Sequence, residues 1–128
     1  SVGNAVAKGI REHAQKKDKS TSIGDMEHYM NMRWNEYTPR QKMDMELMDL
    51  HYGHSNKNTK RYFKKGYEMG WKRAREKAAN GEPLYMVARA KDLITTSPRK
   101  DGFLVDAGAY MGFEDSWLTY EGKEPINR

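Results

Sequence analysis

The chain has 128 residues, enough for one domain with a single core and too few for two. It is basic, with a net charge of +5 and 32% charged residues, and its hydrophobic 37% draws heavily on Met, Tyr and Trp, a mix that favours helices over sheet. The absence of cysteine excludes disulfides, Cys-ligated zinc and a thiol nucleophile, and no apolar run approaches the length that spans a membrane.

These properties predict one mainly α domain over residues 1–128, a compact bundle of four to five helices around a central basic amphipathic helix, with an irregular C-terminal quarter. Within it, 1–24 is expected to be an N-terminal helix plus a flexible loop, 25–96 a helical core and 97–128 an irregular segment. The opening SVGNAVAKGIREHAQ lacks the basic start and apolar run of a leader, so a soluble protein with no membrane partner is expected. A pI near 9.3 points to an anionic partner: nucleic acid, a phosphate-rich ligand or an acidic protein surface.

In chain order, Val2, Val6, Ile10 and Ala14 recur at helical spacing and predict a first helix from Asn4 to about Lys17, followed by the polar linker KKDKSTS. A second helix is predicted from Asp25 to about Asn35, capped by Ser22 or Asp25, with Met26, Tyr29, Met30 and Trp34 on one face. The third has the clearest limits: Thr38 as N-cap, Pro39 at the first helical position and Gly53 as a left-handed C-terminal cap. Its inner stripe is expected to be Met43, Leu47 and Leu50, with Met45 and Met48 left outside, while Asp44, Glu46 and Asp49 make its middle acidic.

A short connector then leads into Asn58 to Asn80, which reads as one long helix lying beside the third. Phe63, Tyr67, Gly70, Trp71, Ala74 and Ala78 form its inner stripe. Glycine inside a helix costs about 1 kcal/mol relative to alanine, so Gly66 and Gly70 need a reason. With Ala74 and Ala78 they make a smooth lane four residues apart, which admits a close neighbouring backbone, from the third helix or a later one. The flanking lysines exclude use of that lane as a membrane dimer motif.

Past Asn80-Gly81, Pro83 opens a further predicted helix with Leu84, Val87 and Ala88 inward, ended by Ser97-Pro98, and Arg99 to Gly102 reads as a turn. Residues 103–120 fit either a hairpin or a helix, and Gly108 and Gly112 weaken both. The expectation is a short irregular helix near 106–112, capped by Asp101 or Asp106, with extended flanks and then a tail, EGKEPINR.

Three groups of residues carry functional expectations. Between Lys57 and Lys77 there are nine lysines and arginines against Glu68 and Glu76, a local net of +7, so the rest of the chain sums to −2. Lys57, Arg61, Lys64, Lys65, Lys72 and Arg75 project within an arc of about 100° away from the aromatic stripe, a row suited to tracking phosphates. The competing expectation is a solvated face whose charge is answered by Glu68, by Glu76 and, from the third helix, by Asp44, Glu46 and Asp49.

Second, Met32, Met45 and Met48 are the methionines expected at the surface if the Met-rich helices bind another protein. Third, His51 and His54 can share a metal or act as acid and base, but a zinc site needs further ligands, and capping of the third helix explains them as well. Walker and Gly-x-Ser-x-Gly loops are absent, and no cofactor is expected.

The string Tyr62-Phe63-Lys64-Lys65-Gly66-Tyr67-Glu68-Met69-Gly70-Trp71 resembles the aromatic-x-x-Gly-aromatic helices of small accessory proteins of tailed bacteriophages, and the Met- and Tyr-rich, cysteine-free composition is similar too. That resemblance implies a non-enzymatic binder, a host-protein inhibitor or virion component working in the cytoplasm of a bacterial host or in the virion. It carries no catalytic residues.

Overall fold

A computed structural model describes residues 5, 6, 8, 9, 23–54, 57–80 and 94–119. Five helices have their bounds among these residues, and no strand occurs among them: α1 (Ile23–Glu36), α2 (Pro39–His51), α3 (Thr59–Ala79), α4 (Pro98–Asp101) and α5 (Phe103–Thr119). The mainly α expectation holds. Residues 5, 6, 8 and 9 are helical, with Val6 buried against the core; most of the predicted first helix, its linker, the helix predicted from Pro83 as far as residue 93 and the tail lie outside the described residues, while 94–96, its expected end, are not helical.

The bundle is built on the pair α3 and α5. Along α3 the buried residues are Phe63, Gly66, Tyr67, Gly70, Trp71 and Ala74, the predicted stripe with Gly66 added and without Ala78, which is half-buried. The other half of the pair departs from expectation. In place of a short helix at 106–112, α5 is continuous over 17 residues, eleven of them buried. It is apolar or small on nearly all sides, the pattern of a central helix.

The glycines explain both the burial of α5 and why the sequence understates it. A Cβ on Gly66 would overlap the Val105 carbonyl oxygen, and one on Gly70 the Ala109 carbonyl oxygen. Reciprocally, a Cβ on Gly108 would meet the Phe63 carbonyl oxygen and one on Gly112 the Tyr67 carbonyl oxygen. These pairings advance together along both helices, so α3 and α5 run in the same direction. Each Gly-x-x-x-Gly lane lies against backbone of the other helix, where Cα–H···O contacts of about 0.5–1 kcal/mol each replace the missing side chains. The intrinsic cost of glycine is thereby offset by close helix approach.

Aromatic rings fill the space beside this seam. Trp34, Phe63, Tyr67, Trp71 and Tyr29 form a continuous series with centroids 5.2 to 6.2 Å apart. Burying each such ring removes enough apolar surface to contribute about 1.5–3 kcal/mol. α1 supplies Met26, Tyr29, Met30 and Trp34 to this core on the predicted face. Its Arg33 is buried as well, and crosses to α5: its guanidinium donates to both carboxylate oxygens of Asp115 at 2.6 to 3.1 Å, and the Tyr67 hydroxyl donates to Asp115 at 2.7 Å. Removed from water, Asp115 is pushed up to about 6, with Arg33 and Tyr67 pulling the other way.

α2 has the predicted ends: a capping box between Thr38 and Gln41, Pro39 in the first turn, and Gly53 at φ 83. Its sides are inverted. Met45 and Asp49 are buried, whereas Met43, Leu47 and Leu50 are 52%, 55% and 54% exposed. The cause is Asp49, which accepts from the backbone N–H groups of Phe103 and Leu104 and so caps α5 in place of the predicted Asp101 or Asp106. A carboxylate at a helix N-terminus satisfies orphan donors and the helix dipole together. Fixing that face inward turns the leucines outward, and α2 packs on α5 rather than alongside α3.

Candidate nucleic-acid interface

With one side of α3 committed to aromatic rings and to α5, its opposite side is left to solvent. At about 100° and 1.5 Å per residue, Arg61, Lys65 and Lys72 fall within an arc of about 40° diametrically opposite the core, spaced about 6 and 10 Å along the axis. All three are exposed, as is Lys57 just before the helix. None of these four makes an ion pair or hydrogen bond among the described residues.

The other two predicted members of the row are engaged. Lys64 pairs with Glu27 of α1 at 2.6 Å, and the contact holds the Lys64 ammonium proton more tightly while lowering the Glu27 carboxyl. Arg75 donates to the Thr119 hydroxyl at 3.3 Å and lies over the Trp71 ring at 5.3 Å. Glu76, expected to pair with Lys72, pairs instead with Arg73 at 3.5 Å. The acidic middle of α2 does not answer the row, because α2 packs elsewhere and Asp49 is used as a cap. A six-residue row thus narrows to Lys57, Arg61, Lys65 and Lys72.

The surface methionines separate in the same way. Met45 is buried at 6% exposure and cannot serve as a contact; Met32 is half-buried against the core, and Met48 is 38% exposed. The larger apolar surface on α2 is Met43, Leu47 and Leu50, at i, i+4 and i+7. Period alone selects this stripe as easily as its opposite, and what decides between them is the long-range contact of Asp49 with the start of α5.

The two imidazoles have separate surroundings. His51 lies on the exposed side of α2, edge-on to Tyr52. The His54 ring lies 3.2 Å from the Arg99 carbonyl, which only accepts, so Nε2 carries the proton; the His54 backbone N–H donates to the Asp49 backbone carbonyl at 2.8 Å. His54 therefore ties α4 to the end of α2. Among the described residues no group of three His, Asp or Glu side chains is placed to hold a metal ion, and no helix there is long and apolar enough to cross a membrane.

The chain matches no protein-family model, and no curated protein or solved structure is significantly similar to it. Its own geometry is accordingly what bears on function.

Proposed function

We propose that this protein is a non-enzymatic accessory protein that binds nucleic acid through the outer face of α3, with Lys57, Arg61, Lys65 and Lys72 meeting phosphates. The observation that carries this function is the division of the helix. Its inner side is spent on packing and its flank cations on Glu27, Glu76 and Thr119, yet the outermost four remain exposed and without partners among the described residues. Lys64 and Arg75, engaged at the row's edge, support the helix rather than read a ligand. Neutralising phosphates with unpaired cations gains counterion release, which ion-paired cations do not supply as readily. Fluorescence-anisotropy titration of single- and double-stranded oligonucleotides should show binding at low salt that weakens steeply at high salt. Absence of binding at low salt would refute it.

The exposed stripe of Met43, Leu47 and Leu50 favours a second function, docking on an apolar groove of a host or virion protein, as helix-in-groove recognition uses i, i+4 and i+7 anchors. Such binding is insensitive to salt and is lost in Leu47→Asp. A pull-down in which Leu47→Asp and Met43→Asp both retain a salt-insensitive partner would count against it.

A further inference from the structure

The basic row ends at a cavity. Lys72, its last member, also lines a recess of about 220 Å³ together with Met69, Gly70, Arg73, Glu76, Ile94, Thr95, Thr96 and Ala109. The recess has an apolar wall, from Met69, Ile94, Ala109 and the bare Gly70 backbone, and a polar rim. An apolar cavity of about 150 Å³ admits a benzene ring, so this recess has the volume for a six-membered heterocycle.

The rim is arranged for such a guest. Arg73 and Glu76 form an ion pair at 3.5 Å and set donors next to acceptors, the combination that hydrogen-bonds the edge of a base. The Thr96 hydroxyl is held by Asp106 at 2.9 Å, which fixes that wall, while Thr95 is exposed at the mouth. Met69, 42% exposed in the middle of a basic helix, has no packing role that accounts for its place outside the aromatic stripe; as part of the wall it has one.

We infer that the recess receives one unpaired nucleobase from the strand whose phosphates lie along Arg61, Lys65 and Lys72, so that the face selects single-stranded over duplex nucleic acid. This rests on the phosphate row proposed above. The phosphates supply affinity without regard to sequence, and the inserted base supplies strand selectivity, because a paired base is held in its stack and cannot enter.

The test separates the two layers. Anisotropy competition would compare a ten-nucleotide single-stranded DNA, the same length of abasic strand with equal phosphate charge, and a ten-base-pair duplex, against the wild-type chain, Thr95→Leu and Met69→Ala. A base in a pocket contributes about 1 kcal/mol or more, so the base-bearing strand should bind at least about fivefold more tightly than the abasic one. Thr95→Leu should narrow the mouth and Met69→Ala remove the wall, each bringing the base-bearing strand down to the abasic level without changing abasic binding. Melting temperatures equal to wild type would show both variants folded. Equal wild-type binding of base-bearing and abasic strands, or a base preference that survives in both variants, would overturn the pocket and leave the phosphate row standing. Failure of every strand to bind would overturn both.

Discussion

The inner and outer sides of α3 obey opposite rules. On the inner side Gly66 and Gly70 touch the backbone of α5, and Phe63, Tyr67 and Trp71 are at most 6% exposed, so changes of size there are costly. On the outer side Arg61, Lys65 and Lys72 are exposed and make no ion pair or hydrogen bond among the described residues, so the fold depends little on them. One helix thus keeps its packing residues and its proposed binding residues on separate faces. Substitutions on the inner side should change stability, and those on the outer side binding.

The sharpest break comes at the seam. Combining Gly66→Val with Gly112→Val drives side chains into the Val105 and Tyr67 carbonyls, and the double variant should fail to fold; either Gly→Ala change alone should cost about 3 kcal/mol or more, read by urea denaturation. Next in size is the buried pair. Asp115→Ala leaves the buried Arg33 charged with only the more distant Glu114 carboxylate, at 3.9 Å, beside it and should cost about 3 kcal/mol.

The same carboxyl sets a pH dependence. Its folded value of about 6 exceeds the ordinary 3.8, so the folded state binds the proton more tightly than the unfolded one. That contribution to stability is fully present below 3.8 and is lost as pH rises through about 6. The unfolding free energy of the wild type relative to Asp115→Asn should accordingly fall across this interval. A difference that is flat or rises with pH would contradict the assignment.

Smaller again is the remote cap: Asp49→Ala should cost about 1–2 kcal/mol by releasing the first N–H groups of α5. Smallest in stability are Arg61→Ala, Lys65→Ala and Lys72→Ala, each within about 0.5 kcal/mol of wild type.

What the sequence made legible divides along the same line. The ends of α2 were readable from Thr38, Pro39 and Gly53, because caps are local chemistry. The aromatic stripe of α3 was readable because its period is 3.6. The length of α5 was obscured, since Gly108 and Gly112 count against a helix unless their partner is known. The matching spacing, Gly66 to Gly70 and Gly108 to Gly112, was the available signal that the two segments meet. The buried side of α2 depended on Asp49 capping a helix more than fifty residues away, which no local pattern reports. For the candidate site, sequence named all six cations but could not tell which were already paired: Glu27 and Thr119 come from other helices.

The division between the two sides of α3 is tested most directly by the salt dependence of oligonucleotide binding in the wild type and in the triple variant Arg61→Ala, Lys65→Ala, Lys72→Ala. Three phosphate contacts predict that the slope of log Kobs against log salt for a single strand becomes shallower by about 2 in the variant, at an unchanged melting temperature. An equal slope in both proteins, or a melting temperature that drops with the charge removal, would contradict the account.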